Sequence, residues 1–456
     1  MVTADNLNLD VLESIFFHLS GNDLSSVALV SRSFFAGVIP RLYRKIMFRL
    51  NHAKRYPRVM SPFNAILVHP SLATHARHIE IRTIPTLKSQ LHPVFLSECT
   101  RALALCNNLQ SFQCTVNAVP PLLPSLQGKE RLQDLRIYAN LTTLQSEKLA
   151  EIANLTNLCL DFGSWNVLDV LPRWTPKFVK TLTSLCLYMA NELNETVLDK
   201  VLQQLPELQA LHIVGCGQVD HVAVLRLVSH TPRLESLSLS ATASTSPESL
   251  APIPQPPPSL QHLKHLALDT RYSMMSSPAP QVLSSILNYI QSSALLSFIM
   301  HLPELGISVG NEFIEELVKL HGHTLRTLAF IDCGVSMESI ATITESCPNM
   351  EHLELPIPVK DIYAFTKSLE KAINLQTIID TNTHSAHGHG PNVSLVRDNV
   401  RHLMMHGAKL RKIVSGKRVW KNTSATSIDL SLERLPAYAS GTHWFMPRDM
   451  SDFGMN

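Results

Sequence analysis

Apolar residues along most of this chain recur neither at the helical interval of three and four nor in simple alternation. They follow a fixed phrase: leucine, two free positions, leucine, one free position, leucine. It reads "LQSFQC" from Leu109, "LQDLRI" from Leu132, "LTNLCL" from Leu155, "LTSLCL" from Leu182, "LQALHI" from Leu208, "LESLSL" from Leu234 and "LKHLAL" from Leu263. It continues as "LLSFIM" from Leu295, "LRTLAF" from Leu325 and "MEHLEL" from Met350, then weakens into "LQTIID" from Leu375 and "LRKIVS" from Leu410. The second and third apolar residues lie two apart, the period of a strand, so both point to one face, and the first enters the same core just ahead of it. Segments after the phrase, such as "HVAVLRLVSHTP" and "MESIATITESCP", carry helical apolar spacing and end at proline, as return helices do.

Phrase starts lie 23 to 29 residues apart between Leu109 and Leu263 and 25 to 32 from there to Leu375, the length of a leucine-rich repeat with insertions. Eight positions after the first leucine stand Asn117, Asn140, Cys216 and Cys333, where an asparagine amide satisfies freed backbone groups in a buried turn, or a cysteine packs as an apolar plug. Cys216 is therefore read as filler, neither nucleophile nor ligand. "CPNMEHLEL" and "CGQVD" resemble the cysteine-containing class of leucine-rich repeats found in F-box proteins, over roughly positions 100 to 380. "ARHIEI", with Ala76, Ile79 and Ile81, reads as a degenerate first repeat.

A different period governs the first forty-odd residues. Leu12, Ile15, Phe16 and Leu19 make one helical stripe, "SGND" breaks it, and Asn22 or Asp23 is placed to cap a helix from Leu24. A third stripe, Phe35, Val38, Ile39, Leu42 and Ile46, is interrupted by Pro40, predicting a kink or restart. In order and spacing this segment resembles an F-box, on Leu7, Leu9, Asp10, Val11, Leu12, Ile15, Phe16, Leu19, Asp23, Leu24, Val27, Val30, Arg32, Phe34 and Tyr43. Asn8 stands where the family has proline, and Ser31 where cysteine is common. The resemblance implies that Leu7, Leu9, Leu12, Ile15, Phe16, Leu24 and Val30 dock on the Skp adaptor of a cullin-RING ubiquitin ligase. Without that resemblance, the helices read as a cap over the end of the repeats.

The expected architecture is α/β: a three-helix F-box over 1–50, a linker and degenerate repeat over 51–105, and a curved leucine-rich-repeat solenoid of short parallel strands with return helices over 106–415. A proline-rich insertion at about 246–258 and a histidine and glycine loop at about 382–392 interrupt the repeats. An irregular cap and tail over 416–456 follows, with Trp444 and Phe445 expected over the final rung.

Residues at the third, fifth and seventh places of each phrase face away from the leucine core and form a strip mixed in charge and rich in polar and aromatic groups. Candidate contacts for a protein substrate on it are Arg136, Tyr138, Asp161, Tyr188, His212, Asp269, His352 and Glu354. A formal net charge of +2 and the mixed strip exclude a nucleic-acid face, which needs a dominant positive sign. The basic cluster Arg411, Lys412, Lys417, Arg418 and Lys421 reads as solvated surface.

With 45% apolar and 17% charged residues the composition is globular. No apolar run reaches membrane-spanning length, and the start, "MVTADNLNLDVL", lacks the basic opening of a secretory signal. Eight scattered cysteines without a C-x-x-C suggest neither a disulfide framework nor a zinc site, which favours cytosol or nucleus. "THSAHGHG" holds His384, His387 and His389 close together, but a loop of small residues fixes no coordination geometry, and no metal or cofactor is expected. His321 and His323 around Gly322 read as a polar turn.

The sequence therefore points to a non-catalytic substrate receptor of a ubiquitin ligase, its helices holding a Skp-type adaptor and its sheet a protein substrate. The competing readings are a leucine-rich scaffold or inhibitor that recruits no ligase and, far behind, a metal-dependent enzyme using the histidine loop.

Overall fold

The computed structural model describes residues 7–19, 22–241, 258–270, 280–302, 308–381, 395–424, 427–435 and 443–447. The chain divides into two compact units, Met1–Leu205 and Pro206–Asn456. The histidines of "THSAHGHG" and nearly all of the proline-rich insertion lie outside the described residues.

The first unit opens with α1 (Leu9–Phe16), α2 (Asn22–Val27) and α3 (Arg32–Arg44). Ser31, standing where the F-box pattern has cysteine, begins α3 by accepting a hydrogen bond from the Phe34 amide at 3.2 Å, which satisfies one free donor of the first turn. Pro40 sits inside α3, which runs on to Arg44. Leu12, Phe16, Leu24 and Val38 form the core of these helices, with Leu7, Leu19, Val27, Phe34 and Leu42 packed around it.

Strands follow as β1 (Lys45–Phe48), β2 (His78–Ile81), a small hairpin of β3 (Thr86–Leu87) and β4 (Gln90–Leu91), then β5 (Ser111–Cys114), β6 (Asp134–Tyr138), β7 (Asn157–Asp161) and β8 (Ser184–Tyr188). All but the hairpin pair in parallel, each with the next. The sheet thus begins at Lys45, inside the stretch the sequence assigns to helices, and Ile46 belongs to a strand. Register aligns Leu135 with Leu158 and Leu185, and Ile137 with Leu160 and Leu187. Burying such a side chain contributes roughly 1.5 to 3 kcal/mol, so each rung adds several against the entropy of ordering it.

In the second unit β9 (Ala210–Val214), β10 (Ser236–Ser240), β11 (His265–Asp269), β12 (Ser297–His301), β13 (Thr327–Ile331), β14 (His352–Leu355), β15 (Thr377–Asp380) and β16 (Lys412–Ser415) pair in parallel. One column runs through Leu211, Leu237, Leu266, Phe298, Leu328, Leu353, Ile378 and Ile413, all buried. Return helices include His221–Leu227 and Met337–Ser346, begun by Asp220 and Ser336, whose side chains accept from Ala223 and Ser339 amides. β17 (Arg418–Asn422) and β18 (Leu430–Arg434) then add antiparallel strands, so the segment expected as an irregular cap opens with two ordered strands.

Two expectations about the turns are corrected. Cys216 and Cys333 are buried fillers as expected, but Asn117 and Asn140 are exposed, and their neighbours Ala118 and Ala139 occupy the interior. The chain turns just past the strand: Phe162, Met189, Gly215 and Asp332, each seven places after the first leucine, take left-handed φ values of 55 to 75°. His321 is also no polar turn residue, because it is buried at the end of the helix Asn311–His321.

Candidate protein-binding surfaces

The N-terminal helices bury some of their apolar residues and leave others exposed. Of the expected adaptor contacts, Leu12, Phe16 and Leu24 point into the helices' own core and Leu7 packs against it, so they shape the surface from beneath. Leu9, Ile15 and Val30 are on the outside, about half exposed or more. They are joined there by Val11, Phe17 and Leu29, which the periodic stripes did not single out, and by Phe35, which the third stripe expected on the core side. The Arg41 guanidinium lies 4.8 Å from the Phe17 ring centroid and donates to the Leu19 carbonyl at 3.1 Å, bracing the end of α1 against α3. An octet such as "LDVLESIF" that buries Leu12 and Phe16 and still exposes Leu9, Val11 and Ile15 is more apolar than a surface helix requires.

The second surface is the sheet face away from the leucines. In the first unit Arg136 Nε meets Asp161 Oδ2 at 3.0 Å, and the Cys159 thiol donates to the other carboxylate oxygen at 3.5 Å. Above this pair the rings of Tyr138 and Phe162 lie 5.2 Å apart and those of Phe162 and Tyr188 6.0 Å, an aromatic ladder over neighbouring rungs. Phe162 enters it through the left-handed turn that follows β7, so strand alternation gave no sign of it. Arg136, Tyr138, Asp161 and Tyr188 thus come together as one cluster, with Arg136 and Asp161 engaged with each other.

In the second unit the face is covered where the sequence suggested an open strip. His212, Asp269, His352 and Glu354 are all buried, His212 at 2% and Asp269 at 0% exposure. The cause at His212 is the chain's own segment His443–Pro447: the Phe445 ring lies 5.7 Å from the His212 ring, and its carbonyl accepts from Ser238 Oγ at 3.1 Å. His212 Nδ1 is 2.7 Å from the same Ser238 oxygen. The serine proton is used on the Phe445 carbonyl, so His212 donates from Nδ1. Burial, with smaller contributions from His443 and His265, holds its pKa down at about 3. Trp444 and Phe445 therefore lie on β12, β10 and β9, and not over the final rung.

His301, at the seventh place of its rung, was not singled out, although the same place one rung earlier gave Asp269. Its Nδ1 lies 3.0 Å from Asp269 Oδ1 and its Nε2 3.2 Å from Asp332 Oδ2. The Trp444 ring lies over it at 4.6 Å. His352 lies away from this cluster, its Nε2 3.9 Å from Glu351, and burial lowers its pKa. The basic cluster is dispersed over the β16 to β17 hairpin: Lys412 is buried, its pKa lowered to about 8 by burial and then by Lys421, while Lys421 pairs with Glu433 at 2.8 Å. Among the described residues no helix is long and apolar enough to cross a membrane.

Short parallel strands, each followed by a turn and a return segment, over columns of aligned leucines make this a repeat protein of the leucine-rich type. No protein-family model matches the chain, and no characterised protein matches it by sequence. Solved structures resemble it at low identity. A chain of the Rad7 and Elc1 complex from yeast is 15% identical, matches 83% of this chain and 93% of its own, and has a TM-score of 0.47. The leucine-rich repeat-containing protein LegL7 from Legionella pneumophila is 12% identical over 67% of this chain and 96% of its own, with a TM-score of 0.39.

Proposed function

We propose that this chain is the substrate-recognition subunit of a Skp-cullin-F-box ubiquitin ligase: its N-terminal helices hold the Skp-type adaptor, and its sheet holds the protein to be modified. The observation that carries the reading is the number of apolar side chains left exposed on the helices, Leu9, Val11, Ile15, Phe17, Leu29, Val30 and Phe35, outside a core of Leu12, Phe16, Leu24 and Val38. Residues spent in this way contribute little to folding the helical unit, and covering them with a partner's apolar surface removes that area from water. The chain's contribution is positional. Holding a target lysine beside a charged conjugating enzyme raises the effective concentration of the two, and no side chain here performs bond chemistry.

The test is co-purification with a Skp-type adaptor. Changing Ile15 and Val30 to aspartate leaves the core intact, so these variants fold and lose the adaptor. Phe16 is unsuited to this test because it is buried, and a charge there unfolds the helices. Retention of the adaptor by the Ile15→Asp, Val30→Asp chain, or by a chain lacking residues 1–44, overturns the reading and leaves a leucine-rich scaffold that recruits no ligase.

A further inference from the structure

The covered face of the second unit indicates what it binds. His443–Pro447 is not part of the repeats; it is a short segment seated on them, turned back on itself by the Met446 amide donating to the His443 carbonyl at 3.2 Å. The imidazole of His443 stacks on the Phe445 ring at 4.7 Å and 12°, so the segment presents Phe445 inward as a braced unit. Phe445 is 2% exposed.

The floor beneath suits a large ring. Along one register line His212 is followed by Ser238, Ala267, Ile299 and Ala329. Three of the five are small, which leaves room above the backbone for a bulky aromatic. At one side the Ser238 hydroxyl holds the segment's backbone through the Phe445 carbonyl. At the other, the ring of His301, set between Asp269 and Asp332, meets the Trp444 ring at 4.6 Å. A backbone anchor beside two adjacent aromatic side chains is one way in which a sheet face reads a peptide.

The resident segment also fits imperfectly. Among the described residues the buried Trp444 indole N–H has no hydrogen-bond partner, and an unmet donor out of water is unfavourable. An intramolecular occupant with that penalty is held largely by its tether and yields to a competitor in sufficient concentration.

We propose that the face spanning β9 to β13 is a receptor for a protein segment carrying an adjacent aromatic pair, and that the chain's own Trp444 and Phe445 are its resident, displaceable occupant. The inference rests on reading this sheet as the protein-binding face and is independent of adaptor recruitment.

The experiment uses a fluorescein-labelled peptide of residues 441–448, "GTHWFMPR", titrated by anisotropy against the full-length chain and its Trp444→Ala, Phe445→Ala variant. The variant, its own occupant removed, binds the peptide at least 10-fold more tightly than the unaltered chain. A peptide with both aromatics changed to alanine binds at least 10-fold more weakly, and adding Ser238→Val to the variant lowers binding again. Equal affinity of the two chains for the peptide, or equal affinity of the variant for the two peptides, overturns the proposal. Circular dichroism and melting confirm that the variant is folded; if it is not, a chain ended after residue 440 takes its place, and failure of both to fold refutes the claim that the segment is displaceable. Adaptor co-purification on the same preparations separates the two readings, since loss of peptide binding with the adaptor retained sinks this inference alone.

Discussion

Gly37 of α3 lies directly against Leu12 of α1: a Cβ built on the glycine would stand 3.0 Å from the Leu12 Cβ and 3.1 Å from the Phe16 ring. The two helices approach so closely that only a residue without a side chain fits. Replacing Gly37 by leucine forces α1 away and opens the small core of Leu12, Phe16, Leu24 and Val38, at a cost of about 1 to 3 kcal/mol, typical of overpacking. So small a unit has little stability to spare. Faster amide exchange or proteolysis confined to residues 9–44 is expected, with the second unit unaffected.

The contact between Arg136 and Asp161 predicts a measurable coupling. Their side chains are 15% and 5% exposed, so removing one partner strands the other in a poorly hydrated place. Arg136→Ala is expected to destabilise the first unit by on the order of 3 kcal/mol, and Arg136→Ala with Asp161→Asn by less than the sum of the two single changes. Urea melts of the four proteins decide it; strict additivity denies the interaction.

Gly322 ends the helix Asn311–His321 where two helix ends converge. A Cβ there would be 2.4 Å from the Val318 carbonyl oxygen and 2.5 Å from that of Ser346, both rigid backbone. Gly322→Ala thus destabilises the second unit by roughly 1 to 3 kcal/mol, although alanine is the better helix former at an unobstructed site. A melting temperature equal to or above that of the unaltered chain would falsify this.

Acid weakens the second unit in a defined window. His212 is neutral in the fold, with its pKa held at about 3 against an ordinary 6.5. Above pH 6.5 the group is neutral folded or unfolded and contributes nothing to pH dependence. Between 6.5 and 3 the unfolded chain takes up a proton that the folded chain refuses, so stability falls as pH drops, by up to about 1.4 kcal/mol per pH unit. Burial lowers the pKa of His221, His265, His321 and His352 as well, which adds in the same direction. Denaturant melts at pH 7.5 and 5.5 should show the loss, and His212→Gln should reduce it.

The leucine phrase was fully legible because burial follows from spacing alone. Two apolar residues two apart on a strand share a face, and in each unit that face is interior; Leu135, Leu158, Leu211 and Leu237 all lie where the phrase puts them. What covers the opposite face does not follow from spacing. His212 and Asp269 occupy places that read as solvent-facing, and one of them is buried by residues more than two hundred positions away. Phe162 escaped notice for a local reason, since a left-handed turn re-aims a side chain that strand alternation would send elsewhere.

The N-terminal helices show the same division. Their stripe established that Leu12, Ile15 and Phe16 lie on roughly one side of a helix, but 3.6 residues per turn spreads them over an arc wide enough for a boundary to fall within it. Packing against Gly37 set that boundary between Phe16 and Ile15.

By itself, then, the sequence determined the repeat, the inward residues and the presence of two kinds of helical and strand patterning, since these depend on local periodicity and the removal of apolar surface from water. Only the tertiary structure decided which apolar residues of α1 stay exposed and which segment lies on the second unit's sheet, because both depend on close approach between residues far apart in the chain.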